Sequence, residues 1–155
     1  MQIYSLHTGN FKLDGGAMFG VVPKSIWQKT NPADEQNLCT WALRCMLIVT
    51  GDRKILIDTG MGNKQDAKFF SHYQPSNTKT IAEALAEHGF TPNEITDVLL
   101  THLHFDHVGG AVNLEEGVLK LALPNATYWV SAPHWETAIH PNRREKASFL
   151  KENIM

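Results

Sequence analysis

The alternation of apolar and polar residues predicts strands in the first third of the chain. Residues 3–6 and 18–22 have the pattern of short strands. The apolar run WALRCMLIV is followed by the turn TGDRK and a second apolar run, ILIDTG, so residues 41–58 are expected to form a hairpin. The intervening stretch, residues 24–38, is rich in polar residues and is expected to be a loop.

A helix is predicted over residues 76–89, SNTKTIAEALAEHG. Asn77 or Thr78 is expected to cap its start, and Gly89 stands where a left-handed C-terminal cap belongs. Within this segment Ile81, Leu85 and His88 recur at helical spacing, which favours a helix with one buried face.

Further strands are predicted over residues 97–101 (DVLLT) and 126–131 (ATYWVS). Ser131, followed by a proline, is expected to start a helix. The tail REKASFLKENIM has a helical pattern in which Ala147 and Leu150 would face inward. A strand, a helix and a strand in this order indicate an α+β chain with α/β layering, in which helices pack against a sheet.

Composition narrows the classes of function. The chain has 155 residues, 43% hydrophobic and 19% charged, which fits one soluble domain. A net charge of -2 offers neither the basic field of a nucleic-acid-binding protein nor a polybasic membrane patch. No apolar run reaches the roughly 20 residues that span a bilayer, and the first residues do not resemble a signal peptide. A cytoplasmic location is expected, unless a leader has been removed.

Cys39 and Cys45 are expected to be free thiols. Six residues along an extended strand separate two α-carbons by about 20 Å, whereas a disulfide requires less than about 7 Å. Burial as small apolar side chains is the simpler interpretation of both.

The sequence HLHFDH, from His102 to His107, is the strongest chemical signal in the chain. Side chains two apart project to the same side of an extended chain, so His102 and His104 can bind one cation. A turn at the following glycine pair would direct Asp106 and His107 toward a neighbouring point. Imidazole and carboxylate ligands favour zinc, and they also accommodate iron or manganese. The simpler alternative is that Asp106 caps a following helix and that the histidines carry no metal.

THLHFDHVGG resembles the signature of the metallo-β-lactamase superfamily, and ILIDTGMG resembles the aspartate-containing turn of the same proteins. The resemblance covers most of residues 40–113. HLHFDH is most similar to the N-acyl-homoserine lactonase group, and GGAMFGVVPKSIW is similar to lactonase-like and organophosphate-hydrolysing members.

The resemblance implies the N-terminal half of an αββα sandwich with two metal ions at one edge. His102 and His104 would bind the first metal, and Asp106 and His107 the second. Asp58 would hold the metal-binding loop from behind the ligands, although an aspartate before Thr-Gly is also a common turn former.

Three apolar residues are candidates for the substrate pocket. Phe105 alternates away from the ligands and is expected to be core or a pocket wall. Met18 and Phe19 would line the cleft, or would simply belong to an apolar strand beside a glycine turn.

The implied chemistry is hydrolysis by a hydroxide that bridges two zinc ions, with Asp106 as the catalytic carboxylate. The expected substrate is a small-molecule ester or lactone. Thioesterase or phosphotriesterase activity on the same metals is an alternative, as is a non-catalytic metal-binding or interaction module, because one fold hosts many reactions.

The ligand set is expected to be incomplete. A catalytic zinc takes three protein ligands, and the motif supplies two for each ion. After residue 110 the chain holds only His134 and His140, and both are expected to be exposed. Residues 1–155 are therefore expected to be the N-terminal portion of one truncated domain, inactive alone. Such a portion should expose apolar surface that a homodimer would cover.

Overall fold

A computed structural model describes residues 1–154 and contains both strands and helices. The strands are β1 (Gln2–Asp14), β2 (Leu38–Thr50), β3 (Arg53–Ile57), β4 (Asp97–Leu99), β5 (Val112–Glu115), β6 (Val118–Leu121) and β7 (Thr127–Trp129). The α-helices are α1 (Gly15–Phe19), α2 (Lys24–Trp27), α3 (Ala67–Tyr73), α4 (Ile81–Ala86), α5 (Phe105–Val108) and α6 (Ala132–Ile139). Short 3₁₀ helices cover Pro92–Glu94, Gly109–Ala111, Lys146–Ser148 and Lys151–Asn153. This confirms the predicted α+β class.

The chain divides into two compact units. The first contains Met1–Thr8, Leu43–Lys64 and the chain from Lys79 onward, and the second contains Gly9–Ala42 and Gln65–Thr78. Strands β1 and β2 each contribute residues to both units. The assignment of the whole chain to one domain stays a prediction.

Five strands form a sheet in the order β1-β2-β3-β4-β7. Strands β2 and β3 are antiparallel, with Leu47 opposite Leu56, which confirms the predicted hairpin. Strand β4 pairs in parallel with both β3 and β7, and Val98 lies opposite Leu56 and Tyr128. Parallel strands end at the same edge of a sheet, so the residues that follow β3 and β4 meet there. That edge carries the candidate site.

Helix α4 supplies part of the apolar core of the first unit. Its Ile81 and Leu85 are buried in one cluster with the sheet residues Leu47 and Leu56. Burying each such side chain contributes about 1.5–3 kcal/mol. The helix is shorter than predicted and begins after Thr80. The side chains of Thr80 and Glu83 form a capping box at this helix start.

The predicted caps Asn77 and Thr78 of this helix are therefore wrong, because the reciprocal bonds of Thr80 satisfy the helix start. Asn77 has a φ of 51°, a left-handed conformation outside the helix. Gly89 has the predicted left-handed conformation, with a φ of 80°, but the C-cap of the helix is Glu87, two residues earlier.

The second unit differs from its predicted strand and loop. Residues 18–22 do not form a strand: Met18 and Phe19 end α1, whose first turn is capped by the carboxylate of Asp14. Residues 24–38 are not wholly loop, because α2 lies within them and buries Trp27. The rings of Phe19 and Trp27 stack with centroids 4.7 Å apart, and Trp41 lies beside Phe19. This aromatic packing stabilises α1 and α2 in place of the predicted strand and loop.

The C-terminal part of the first unit also departs from the predicted pattern. The tail forms 3₁₀ turns, not a regular helix, and Ala147 is exposed. Phe149 is the buried residue of the tail, while Leu150 is half-buried. The predicted inward face is therefore wrong for Ala147, because a three-residue turn shifts Phe149 into the core instead.

An antiparallel hairpin formed by β5 and β6 was not predicted from the sequence. Several of its large apolar side chains are exposed: Leu114, Val118, Leu119 and Leu121. They agree with the expected apolar surface, whereas the homodimer stays a prediction. Within residues 1–154, no helix combines the length and apolar character needed to cross a membrane.

Both cysteines are buried free thiols, as predicted. Burial raises the pKa of Cys45 to about 12, so this thiol stays protonated and chemically inert near neutral pH.

Candidate metal centre

The residues from His102 to His107, here called the metal loop, follow β4 at the sheet edge. After β4 the chain bends at Thr101 and continues to His104, which has an extended backbone and precedes the first residue of α5. Alternation places Leu103 in the core, with 1% of its surface exposed, whereas His102 and His104 are half-buried on the other side. The local fold therefore turns two histidines toward one space, as the spacing predicted.

The three histidine rings of the metal loop form one cluster. The ring centroids of His102 and His104 are 4.6 Å apart, and those of His102 and His107 are 3.9 Å apart. The short helix α5 makes this approach possible, because it returns His107 toward the extended residues. Asp106 lies beside His107, with Oδ2 3.5 Å from Nε2.

Asp106 does not occupy the cap of α5. The cap residue is His104, and Asp106 lies inside the first turn. Its carboxylate is therefore directed by the helix toward the histidine cluster. The alternative in which Asp106 caps the following helix is wrong for this structure.

Asp58 lies directly behind the cluster. It follows β3 with a φ of 58°, an uncommon left-handed conformation for a residue with a side chain. Its buried carboxylate accepts hydrogen bonds from the Thr101 backbone N–H at 2.8 Å and from the Thr101 hydroxyl at 2.7 Å. The same carboxylate lies 2.7 Å from Nδ1 of His107. Surrounding hydrogen bonds hold the strained backbone, which then fixes the orientation of His107.

The contact with Asp58 determines which nitrogen of His107 is available. An ionised carboxylate accepts a hydrogen bond from Nδ1–H, which leaves Nε2 as the ring acceptor. Metal-binding histidines commonly have this arrangement, with one nitrogen held by a carboxylate and the other on the metal. Asp106 lies on the Nε2 side, so the two predicted ligands of the second metal face each other.

The pKa values of the three histidines shift in different directions. Burial, together with the neighbouring histidines, lowers the pKa of His102 to about 4, and burial also lowers the pKa of His104. Burial lowers the pKa of His107 as well, but the hydrogen bond with Asp58 and the nearby carboxylates outweigh it and raise the net value. His102 and His104 are thus neutral imidazoles at neutral pH, the form that binds metal ions.

For Asp58 the balance favours ionisation. Burial raises the pKa of its carboxyl group, but hydrogen bonds from His107 and Thr101 lower it by more. An ionised Asp58 is the state that can hold the Nδ1–H of His107.

The segment after β3 also holds the C-terminal end of the metal loop. The backbone N–H and hydroxyl of Thr59 both donate to the His107 carbonyl, at 2.8 and 3.0 Å. The Gly110 N–H donates to the Gly60 carbonyl at 3.0 Å, and the Lys64 ammonium donates to the Gly109 carbonyl. Burial lowers the pKa of Lys64 to about 8. These hydrogen bonds join the segment after β3 to the backbone of residues 107–110.

The structure brings the predicted ligands and Asp58 together, but not every candidate joins them. Phe105 is buried, with 5% of its surface exposed, which agrees with the core interpretation. Met18 and Phe19 belong to the second unit, where Phe19 packs on Trp27. Their assignment to a substrate pocket stays a prediction.

The predicted exposure is confirmed for His140 and wrong for His134. His140 is exposed and lies 3.5 Å from Glu136. His134 is half-buried, and its Nε2 accepts a hydrogen bond from the Leu103 backbone N–H at 2.8 Å. Helix α6 carries His134 back under the metal loop, a tertiary arrangement that the sequence around it did not indicate.

Sequence reasoning also missed Thr101 and Lys64. Thr101 directly precedes the histidine motif, so its proximity was visible, but its bonds to Asp58 depend on the pairing of β3 with β4. Lys64 follows the Gly-rich turn with no pattern that identifies its partner.

The donor set agrees with zinc in chemical type, because imidazole nitrogens and carboxylate oxygens are zinc ligands. Among residues 1–154, no group of three His, Cys, Asp or Glu side chains is arranged so that it could hold a metal ion. The metal loop therefore supplies suitable donors, but fewer of them converge than a tightly bound catalytic zinc requires.

Comparison with known proteins identifies relatives of the chain among metal-dependent hydrolases. An N-acyl homoserine lactonase of Bacillus thuringiensis is 27% identical over 164 residues, which cover 99% of this chain and 56% of the lactonase. The crystal structure of a probable metal-dependent hydrolase from Staphylococcus aureus matches with a TM-score of 0.90 and 36% identity, over 98% of this chain and 54% of that one.

The structure of a dizinc quorum-quenching lactonase in complex with a product matches with a TM-score of 0.69 and 26% identity, over 92% of this chain and 46% of that one. The chain thus spans about half the length of these relatives. The neighbours confirm the predicted fold, and the model of the metallo-β-lactamase superfamily matches residues 43–147. The chain belongs to the metallo-β-lactamase superfamily.

Proposed function

We propose that this chain carries the metal-binding loop of a metal-dependent hydrolase that opens an ester or a lactone. The observation that supports this most directly is the contact of His107 with Asp58 at 2.7 Å beside the rings of His102 and His104. A buried carboxylate that orients one member of a histidine cluster is typical of metal sites and is unnecessary for packing alone.

His102 and His104 would hold a first metal ion, and Asp106 and His107 a second. Zinc is the proposed metal, and iron or manganese would suit the same ligands. Bound metal ions would supply an activated water and would polarise the carbonyl of the substrate.

The side chains of the chain itself would prepare this chemistry. Asp58 keeps the proton of His107 on Nδ1, which leaves Nε2 free to bind. Asp106 contributes a negative charge next to that nitrogen and is the proposed catalytic carboxylate. The bonds from Thr59 to the His107 carbonyl would keep this part of the loop in place.

The proposed substrate class rests on the relatives. The relative from Bacillus thuringiensis is an N-acyl homoserine lactonase, and the matching dizinc protein is also a lactonase. An activated water attacks the carbonyl of a lactone and of an open-chain ester in the same way, so both belong to the proposal.

The first test measures zinc binding by this chain through competition with a coloured chelator. We expect weak binding that falls at least about tenfold in His102→Ala and in His104→Ala, because each removes a direct ligand. The matched control is His140→Ala, which removes an exposed histidine and should bind zinc like the parent chain. Equal losses in all three variants would contradict the assignment.

Hydrolysis is tested in a chimera in which this chain replaces the matching segment of the lactonase from Bacillus thuringiensis. The chimera should hydrolyse lactones or esters, and its His104→Ala variant should not. A folded chimera that binds zinc but cleaves only thioesters or phosphotriesters would overturn the proposed substrate class.

A further inference from the structure

We propose that His134 is a positioning residue that sets the distance between His102 and His104 by holding the backbone between them. The inference rests on the proposed function of the metal loop. It assigns a role to a residue of α6, outside the loop and outside its motif.

The contact lies at the centre of the loop. The Leu103 backbone N–H donates to Nε2 of His134 at 2.8 Å, and Leu103 is the residue between the two histidines. Its side chain is anchored in the core with 1% exposure. Burial of the Leu103 side chain and the hydrogen bond from its N–H to His134 together fix the backbone between His102 and His104.

Other hydrogen bonds hold the backbone on either side of Leu103. Upstream, the Thr101 N–H is bonded to Asp58. Downstream, the N–H groups of His107 and Val108 donate to the His104 carbonyl, at 2.9 and 3.0 Å. The bond to His134 constrains the backbone between the Thr101 N–H and the His104 carbonyl.

The ring of His134 is itself held in place. Its centroid lies 5.7 Å from that of buried Phe149, whose ring also lies 4.9 Å from His104. Phe149 therefore packs between the supporting histidine and a proposed ligand. The edge-to-face arrangement of Phe149 with His104 restricts both rings.

The hydrogen bond also defines the chemical state of His134. A nitrogen that accepts from a backbone N–H carries no proton, so Nε2 is the acceptor and the proton of the neutral ring is on Nδ1. Because its Nε2 accepts the backbone hydrogen bond, His134 supports the metal loop and is not a proposed metal ligand.

Two variants test the inference. His134→Leu keeps a side chain of similar size and removes the acceptor, whereas His134→Gln offers a carbonyl oxygen that can accept the same bond. The matched control is His140→Leu, which changes an exposed histidine at the end of the same helix.

The first measurement is hydrogen exchange of the Leu103 amide by NMR, without metal. We expect His134→Leu to speed this exchange by about tenfold, because the amide loses its partner. His134→Gln should exchange at a rate between those of the parent and the leucine variant, and His140→Leu should match the parent. Unchanged exchange in His134→Leu would overturn the inference.

The second measurement is zinc affinity by chelator competition. Groups that orient metal ligands typically change affinity by 10–100-fold, so we expect His134→Leu to weaken zinc binding by about tenfold. A parent-like affinity in His134→Leu, while His102→Ala binds weakly, overturns the positioning role and leaves the proposed function intact. If His102→Ala also binds like the parent, the proposed function fails and this inference fails with it.

The parent chain provides a measurement that does not depend on the folding of any variant. The imidazole ¹⁵N shifts of His134 should show the tautomer with the proton on Nδ1. The opposite tautomer, with a proton on Nε2, would overturn the inference because that nitrogen could not accept the Leu103 bond.

Discussion

At the scale of single residues, the metal loop combines donors that were predictable with supports that were not. The spacing of His102 and His104 predicts that they share a side because extended chains alternate. The left-handed backbone of Asp58 and the hydrogen bond to His134 depend on strands and helices distant in sequence. Local pattern thus identified the candidate ligands, and tertiary structure determined which groups contact and orient them.

Asp106 provides a residue-scale prediction. Replacing it with asparagine keeps the size of the side chain but removes the charge that would offset a metal ion. We expect Asp106→Asn to bind zinc at least about tenfold more weakly than the parent, with the second equivalent lost first. Zinc titration followed by isothermal calorimetry measures both the affinity and the number of ions.

The matched control for Asp106 is Asp52→Asn, which removes an equal charge from the exposed turn between β2 and β3. If the two variants bind zinc equally well, Asp106 is not a ligand and its position in the first turn of α5 serves only the helix. Asparagine would then cost a few tenths of a kcal/mol at most, because one short helix end gives a small interaction.

At the scale of elements, apolar runs between turns predicted the strands whose backbone groups are hydrogen-bonded within the sheet. The β2–β3 hairpin and the strands β4 and β7 were predictable from apolar runs between turns. Residues 18–22 were not, because aromatic stacking of Phe19 on Trp27 stabilises a helical turn over an apolar stretch. The β5–β6 hairpin was missed although residues 112–115 alternate between apolar and polar, because strands of only four residues give a short pattern.

The contact between the segment after β3 and the end of the metal loop yields an element-scale prediction. A β-carbon on Gly109 would lie 1.9 Å from the Met61 carbonyl oxygen, a backbone atom that cannot rotate away. We therefore expect Gly109→Ala to lower the free energy of unfolding by about 2–3 kcal/mol. Chemical denaturation followed by fluorescence measures the change.

A matched control is Gly51→Ala, in the turn between β2 and β3. Gly51 has a φ of 55° but no atom within 4 Å of an added β-carbon, so its substitution isolates backbone strain from steric overlap. We expect a cost of about 1 kcal/mol for Gly51→Ala. Equal costs for the two variants would show that the segments separate easily and do not restrain the loop.

At the scale of the whole molecule, the sheet topology explains why one short motif can be recognised before the fold is known. Parallel pairing of β3 and β4 ends both strands at one edge, so Asp58 and the metal loop meet there. The resemblance to the superfamily followed from the sequences of these two segments, and the α+β class from the predicted order of strands and helices. Strand order and the return of α6 under the loop could not be predicted, because they depend on pairings between distant residues.

The opposite end of β4 carries a charged contact that joins three strands. Buried Asp97 accepts hydrogen bonds from Arg53 of β3, from the Thr96 hydroxyl and from the Trp129 indole of β7. The Arg53 bond is the largest of the effects that lower the pKa of Asp97 to about 2, below its usual value of 3.8. An ionised Asp97 is therefore favoured in the folded sheet.

A lowered pKa in the folded state links this contact to acid stability. The ionised form stabilises the fold at any pH above about 4, and this contribution is lost as the pH falls toward about 2, because the unfolded chain takes up the proton first. We expect the free energy of unfolding of the parent to fall more steeply between pH 4 and 2 than that of Asp97→Asn. Urea denaturation at closely spaced pH values gives both curves. Asp52→Asn should keep the parental slope, and an Asp97→Asn curve that runs parallel to the parent would show that protonation of Asp97 does not control the loss of the sheet in acid.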